Sequence, residues 1–244
     1  MPEPHPALRA WLGTWRALQR YHRYRVHGLE RLDGEESLLL VAYHGRPIAL
    51  DQCLLSVSVY DRLGYMLHGV THRAVRTNRL MTWVSDGLGF VTGDGPEVAQ
   101  AIERGEHIAV QPGGIREGCR SFRHRYEVDW GTRVGFVRLA LRYGLRVVPI
   151  ASHGADDCFI GFNDGYRWGK RLGIPAGLPA WLGVGFGIWP LALPLPAPIT
   201  TYIGEPIDLQ DAGVIDPEDR GALLGAQRRI ASAVQALLSS AVAL

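Results

Sequence analysis

Short apolar runs and amphipathic stretches alternate along most of this 244-residue chain. Apolar runs bounded by turn-prone residues predict buried strands, and apolar residues at helical spacing predict helices. Repeated alternation of the two predicts an α/β fold in which helices flank a mixed, mostly parallel sheet. Strands are predicted at residues 26–32, 37–43, 64–70, 90–91, 107–111, 146–151 and 200–204, and helices at 7–23, 51–62, 78–84, 96–103, 132–143 and 217–244.

The first predicted helix is amphipathic, with an apolar stripe on one side and arginines largely on the others. Tryptophan opposite arginine suits a helix that lies in a bilayer interface, and the same pattern also serves a helix packed on its own domain. We interpret residues 1–24 as a membrane-interface helix, with internal packing as the alternative. The stripe consists of Leu8, Trp11, Leu12, Trp15 and Leu18, and the arginines are Arg9, Arg16, Arg20 and Arg23.

Residues 172–204 contain no charged side chain, but their glycines and prolines exclude a regular membrane-spanning helix. Trp181, Phe186 and Trp189 could line an acyl groove or enter the bilayer interface. The alternative is a buried, proline-rich connection over the core.

Length and composition predict one globular domain, with a catalytic core at residues 25–209 and a C-terminal helix at 210–244. Hydrophobic residues make up 47% and charged residues 20%, which excludes general disorder. The formal charge of +2 gives no reason to expect nucleic acid, and Lys170 is the only lysine among 26 cations. Arginine is well suited to phosphate and carboxylate groups. Three cysteines without paired or metal-type spacing, and no signal-peptide pattern, predict a reducing, cytosolic location.

The stretch from Val41 to Asp51 carries the first candidate chemistry. A buried strand ends there in His44 and Gly45, so His44 is expected at the strand's carboxyl end, where open α/β sheets keep their sites. Imidazole can accept a hydroxyl proton near neutral pH, and Asp51 could hold its other nitrogen if the chain turns back. The alternative is a loop histidine followed by an aspartate at or near a helix N-cap.

A second buried strand, ending at Gln111, leads into Pro112, Gly113 and Gly114 at the same expected edge of the sheet. Consecutive glycines let backbone N–H groups point at an anion or oxyanion. Arg116 could then bind a phosphate or carboxylate, and Glu117 could orient Arg116 or His44. A surface turn with a solvated Arg-Glu pair is the alternative.

Together these stretches resemble the lysophospholipid and glycerolipid acyltransferase superfamily, which carries a His-x4-Asp motif and, further on, a Phe-Pro-Glu-Gly-Thr-Arg motif. The resemblance is closer to its neutral-lipid branch, with Tyr-His-Gly-x-x-Pro-x-Asp and Pro-Gly-Gly-x-Arg-Glu. It extends over roughly residues 26–209, with several motifs in the same order. The matching segments are Tyr43-His44-Gly45, Pro112-Gly113-Gly114-Ile115-Arg116-Glu117, Trp130-Gly131-Thr132-Arg133-Val134-Gly135-Phe136, Val147-Val148-Pro149-Ile150 and Tyr202-Ile203-Gly204-Glu205-Pro206-Ile207.

The chain departs from the superfamily's pattern in two places. Six residues separate His44 from Asp51 instead of four, so a contact between them requires a bulged turn at Arg46 and Pro47. The second motif of the family often ends in an arginine, and residues 87–94 contain none. That absence disfavours a phosphate-bearing acceptor, although Arg46 and Arg120 could supply the missing charge.

The resemblance implies transfer of a fatty acyl group from acyl-CoA or an acyl carrier protein to a glycerolipid hydroxyl. In that scheme His44 removes the hydroxyl proton and Asp51 orients the imidazole. Arg46, Gly113, Gly114, Arg116 and Glu117 are the expected substrate-binding residues. The donor is a co-substrate, and neither a metal nor a resident cofactor is expected.

The expected acceptor is monoacylglycerol, diacylglycerol or a similar lipid alcohol, at the inner face of the cell membrane. The alternatives are lysophosphatidate as acceptor, hydrolysis of the acyl thioester, and a non-catalytic lipid-binding protein. No Gly-x-Ser-x-Gly elbow is present, which argues against an ordinary serine lipase.

Overall fold

The computed structural model describes residues 6–34, 36–47, 49–71, 91–92, 95–173 and 180–240. Short strands alternate with helices along them, as the hydrophobic pattern predicts. The helices are α1 (Pro6–Tyr21), α2 (Leu50–Leu63), α3 (Pro96–Glu103), α4 (Gly114–Gly118), α5 (Gly135–Tyr143), α6 (Gly165–Arg171) and α7 (Arg220–Ser240). The strands are β1 (Arg25–His27), β2 (Leu38–Ala42), β3 (His68–Thr71), β4 (Val91–Thr92), β5 (Ile108–Val110), β6 (Arg146–His153), β7 (Ile160–Gly161), β8 (Gly183–Gly185), β9 (Gly187–Ile188) and β10 (Thr200–Ile203).

Seven of these strands form the main sheet, in the order β1-β10-β6-β2-β5-β3-β4. Every neighbouring pair is parallel except β10 and β6. The predicted α/β class, with a mixed and mostly parallel sheet, is confirmed. Parallel neighbours place the carboxyl ends of β2 and β5 at one edge, with Val41 opposite Val110.

Helices cover both faces of the sheet. Leu39 and Val41 on one face of β2 join a buried cluster with residues of α3, α5 and α7. Leu38 and Leu40 on the other face join residues of α2. Burial on both faces explains why β2 is apolar at every position rather than alternating.

The apolar stripe of α1 packs inside the protein. Leu12 and Trp15 are 6% and 8% exposed and join a buried cluster with residues of α2. Trp11 donates from Nε1 to the Ser56 hydroxyl at 3.2 Å. These contacts are those of the alternative, a helix packed on its own domain, and the prediction that α1 lies in a bilayer interface stays untested.

The uncharged region that the sequence left between two interpretations contributes β8 and β9 to a smaller antiparallel sheet, in which β8 also pairs with β7. Trp181 is buried within it, whereas Phe186 is 61% exposed. The region is thus partly core and partly open surface. Within the described ranges, no helix has the length and apolar character needed to cross a membrane.

Element boundaries differ from prediction where local turns intervene. The predicted strand at 26–32 ends at His27, because Gly28 takes a left-handed φ of 82° and residues Leu29–Leu32 form a 3-10 helix. Helix α2 begins at Leu50 with Ala49 as its N-cap, so Asp51 lies near the N-cap, in the first turn of the helix, as predicted. Helix α5 begins at Gly135 rather than at residue 132. The helix predicted at 78–84 lies outside the described residues.

Candidate active site

The two motif loops meet at one edge of the main sheet. His44 follows β2 by two residues, and the Gly-Gly pair follows β5. The His44 backbone N–H donates to Oε2 of Glu117 at 2.9 Å, which joins the loops directly. The sequence expectation that both motifs share a site edge therefore holds in the structure.

The ring of His44 is oriented by its own backbone loop. Nδ1 lies 3.0 Å from the carbonyl oxygen of Gly45. A carbonyl oxygen only accepts hydrogen bonds, so Nδ1 carries the proton and Nε2 has the lone pair. The edge of the ring rests on Gly118 at the end of α4, where an added methyl would stand 2.6 Å from Nδ1. Only a residue without a side chain leaves room for the imidazole in this position.

Burial controls the charge of the imidazole. Desolvation lowers the pKa of His44 to about 4, against smaller opposing contributions from the Gly45 carbonyl and from Asp156. The ring is therefore neutral near pH 7 and can accept a proton.

Asp51 lies beside Gly45, where an added methyl would stand 2.6 Å from its Oδ1. Among the described residues no hydrogen bond joins Asp51 to His44, and Oδ1 has no partner. The six-residue spacing carries the carboxyl group into α2, and the Gly45 carbonyl takes the place expected for it. Burial raises the pKa of Asp51 to about 7.

The glycine pair opens a short helix instead of a loop. Gly113 precedes α4 in a right-handed helical conformation, and Gly114 has a φ of 52°. The N–H of Gly114 donates to the Gln111 carbonyl at 3.0 Å, so that turn uses it. The N–H of Gly113 has no acceptor among the described residues, and Gly113 is therefore the better placed of the two candidates for an oxyanion.

Arg116 and Glu117 point in different directions from α4. Arg116 is partly exposed and pairs with Asp129 at 2.7 Å. Glu117 is buried, and its carboxyl group accepts the N–H groups of His44 and Asp129 at 2.9 and 2.8 Å. Burial raises the pKa of Glu117 to about 7. Glu117 was expected to orient Arg116 or His44. In the structure it holds the backbone of His44, whereas Asp129 orients Arg116.

Behind His44 lies a buried polar cluster that sequence reasoning missed. Asp156 accepts hydrogen bonds from the Tyr43 hydroxyl and, at 2.8 Å, from the Tyr126 N–H. Arg46 has no exposed surface, lies 3.7 Å from Asp156 and donates to the Ser121 carbonyl at 2.7 Å. Arg120 is 6% exposed and donates to Tyr43. Arg46 is thus part of the support beneath the site, which corrects its expected place among the substrate-binding residues.

The cluster left little signal in the sequence. Tyr43 is next to His44 in the sequence, but Asp156 lies more than one hundred residues further along the chain. It belongs to a 3-10 helix after β6, which no hydrophobic periodicity marks. The available clue was a pair of acidic residues, Asp156 and Asp157, that begins three positions after the end of β6. The second-motif segment, residues 87–94, is described only at Val91 and Thr92.

Comparison with known proteins finds a family model and several named relatives that match the chain. The model of a family described as diacylglycerol acyltransferase matches residues 96–220, more than half of the chain. A bovine protein named DGAT1/2-independent enzyme synthesizing storage lipids is 24% identical over 189 residues, which cover 77% of this chain and 53% of that protein. Its human counterpart is 24% identical over 220 residues, covering 89% and 61%. The chain therefore spans only about half to three-fifths of the length of these relatives.

A plant relative and a solved structure extend the comparison. Phytyl ester synthase 2, chloroplastic, of Arabidopsis thaliana is 25% identical over 139 residues, covering 54% of this chain and 20% of that protein. The crystal structure of the 1-acyl-sn-glycerophosphate acyltransferase PlsC from Thermotoga maritima aligns with a TM-score of 0.52 at 16% identity, covering 97% of this chain and 83% of that one. At that identity the match establishes a shared fold.

Proposed function

Because the chain belongs to the diacylglycerol acyltransferase family, we propose that it transfers a fatty acyl group from a thioester donor to a hydroxyl of a neutral glycerolipid, with His44 as general base. The observation that carries the proposal is the state of His44. Its ring is neutral, and Nδ1 donates to Gly45, so Nε2 is the basic atom. A positioned base of this kind assists deprotonation of an alcohol.

The reaction needs no covalent enzyme intermediate. Nε2 of His44 accepts the hydroxyl proton as the acceptor oxygen attacks the thioester carbonyl, and the N–H of Gly113 donates to the developing oxyanion. The tetrahedral intermediate collapses, the carbon–sulfur bond breaks, and the thiolate takes the proton from the imidazolium. The products are the ester and the free thiol of CoA or of an acyl carrier protein.

The arginines support a neutral acceptor rather than a phosphorylated one. Arg46 and Arg120 are buried against Asp156 and Tyr43, so neither restores a phosphate-binding charge at the surface of the site. Arg116 is already paired with Asp129. Holding a phosphate would require one of these pairs to break first. Monoacylglycerol or diacylglycerol imposes no such cost.

Both substrates carry acyl chains that partition into membranes, so we also propose that the protein binds peripherally to a membrane. A cytoplasmic protein at the inner face of the cell membrane fits the reduced cysteines, because Cys53, Cys119 and Cys158 are all unpaired.

An acceptor panel tests the proposal. Purified protein is given acyl-CoA or acyl carrier protein with monoacylglycerol, diacylglycerol, lysophosphatidate or no acceptor, and both ester and free thiol are measured. We expect ester formation with the neutral acceptors. Free thiol without added acceptor would identify a hydrolase, and a strong preference for lysophosphatidate would remove the neutral-acceptor proposal.

Variants of two histidines and one aspartate test the base. His44→Ala is expected to lower transfer by about 10² to 10⁴, whereas His124→Ala, an exposed histidine paired with Glu127, should keep wild-type turnover. Asp51→Asn should have a small effect, since Asp51 does not contact His44. Wild-type turnover in His44→Ala would refute the assignment. A loss in Asp51→Asn equal to that in His44→Ala would instead restore a catalytic dyad.

A further inference from the structure

Exposed apolar side chains are concentrated in one region of the protein. Of the twelve large apolar residues that are exposed in the described chain, nine lie between residues 160 and 193. Large exposed apolar patches mark contact surfaces, whereas singly scattered residues do not. We call this region, formed by residues 160–172 and 181–193, the platform. Its most exposed members are Phe162, Leu172, Phe186, Ile188, Leu191 and Leu193, between 61% and 91%.

The platform is a folded surface rather than a loose loop. Phe186 and Leu193 exchange backbone hydrogen bonds, with N–O distances of 2.9 and 3.3 Å. Its inner side is filled, because the side chain of Trp181 lies against Gly183 and that of Phe159 lies against Gly185. Gly183 and Gly185 have no side chains that could cover the exposed apolar residues of the platform.

Charge beside the platform has one dominant sign. Helix α6 carries Arg167, Lys170 and Arg171, all exposed, and residues 158–204 contain a single acidic side chain, Asp164. Asp164 accepts the Arg167 N–H at 3.4 Å as the N-cap of α6. An apolar centre with cations on its rim complements a bilayer that contains anionic lipids.

The platform is attached to the backbone beneath His44. Gly165 donates to the Cys119 carbonyl at 2.8 Å, and Trp181 Nε1 donates to the Arg120 carbonyl at 3.2 Å. Cys119 and Arg120 directly follow Gly118, on which the His44 ring rests. The platform is therefore held by the two residues that follow the floor of the candidate site.

We propose that the platform, and not the apolar stripe of α1, is the surface that binds an anionic bilayer and through which the lipid acceptor reaches His44. The entry route rests on the proposed function, whereas the binding surface does not. A second copy of the chain would cover the same apolar area, and the experiment separates these two outcomes.

The test compares two matched single variants, Leu191→Glu and Val214→Glu, whose side chains are 91% and 95% exposed and whose loss creates no cavity. Partitioning is measured by cosedimentation with vesicles of phosphatidylcholine alone and with added phosphatidylglycerol. We expect Leu191→Glu to weaken binding to anionic vesicles by about tenfold or more, while Val214→Glu remains within about twofold of wild type. Wild-type binding by Leu191→Glu would overturn the proposal.

Two further measurements distinguish the outcomes. Sedimentation velocity without lipid shows whether Leu191→Glu changes the oligomeric state; dissociation of a dimer, with vesicle binding unchanged, would assign the platform to a second copy. Transfer to a water-soluble short-chain acceptor should be equal in wild type and Leu191→Glu, with a loss only on vesicle lipids. If wild type transfers to no acceptor, the proposed function fails while the vesicle result still decides the binding surface.

Discussion

Replacing Asp156 by asparagine should strongly destabilise the fold, because it removes the negative charge that pairs with the buried Arg46, in a cluster that also contains the buried Arg120. Asp156 and Arg46 have no exposed surface, and Arg120 is 6% exposed. Asparagine keeps an oxygen that accepts from Tyr43 and from the Tyr126 N–H, so the variant changes charge more than hydrogen bonding. Removing one partner of a buried ion pair typically costs about 3 to 5 kcal/mol.

That loss is large beside the ~5 to 15 kcal/mol that holds an ordinary domain together. Urea unfolding followed by far-UV circular dichroism gives the difference directly, and a melting temperature lower by roughly 6 to 20 °C should accompany it. Asp157→Asn is the matched control. Asp157 is the next residue, partly exposed, 3.8 Å from Arg125, and surface pairs contribute only about 0 to 1 kcal/mol.

This prediction would be contradicted by a free energy of unfolding of Asp156→Asn within about 1 kcal/mol of that of Asp157→Asn. Such a result would mean that the two guanidinium groups do not need Asp156 as a counter-charge. A loss of activity without a loss of stability would likewise remove Asp156 from the support of the fold and leave it a role at the site.

Two further predictions use the site's packing and its titration. Gly118→Ala should lower transfer activity, because the new methyl would stand 2.6 Å from Nδ1 of His44 and displace the ring. Gly225→Ala, on an open face of α7, should leave activity unchanged and add about 0.5 to 1 kcal/mol of stability. Equal activity in both variants would contradict the packing argument. Glu117 keeps its proton in the folded protein up to about pH 7 but loses it near pH 4.5 when unfolded, so its contribution to stability is present at low pH and is lost as the pH rises through that window. From about pH 5 to about pH 8, the free energy of unfolding of wild type should fall more than that of Glu117→Gln, by an amount on the order of 2 to 3 kcal/mol. The titration of His44 changes stability in the opposite direction, but it is common to both proteins. Parallel curves of unfolding free energy against pH for the two proteins would contradict the assignment.

The main sheet could be predicted because its strands are buried on both faces. Continuous apolar runs such as Leu38 to Ala42 identify such strands, and their order with the helices fixes a mostly parallel sheet. The small sheet β7-β8-β9 could not be predicted. Its strands are two or three residues long and contain four glycines, so neither an apolar run nor an alternation marks them.

The site was predictable as far as strand ends determine it. The loops of His44 and Gly113 lie at one edge because β2 and β5 are parallel neighbours, and Glu117 joins them. The sequence predicted the shared edge but not the pairing of the two strands. The side-chain contacts within the site depend on the conformation of the loops that follow these strands. The extra residues before Asp51 lead the chain into α2, and the helical turn of α4 sends Arg116 toward solvent and Glu117 inward. No periodicity in the sequence reports such directions.

The acceptor for Nδ1 of His44 is encoded by no side chain. A peptide carbonyl has no proton to lose or gain in the physiological range, and no single substitution can delete it. The group that fixes the tautomer of His44 therefore does not titrate, whereas a carboxylate that held a histidine would gain a proton at low pH. Alanine scanning of the site would pass over this contact, because every residue type at position 45 supplies the same oxygen. Only a change in the backbone itself, such as an ester in place of the peptide bond after Gly45, would reach it.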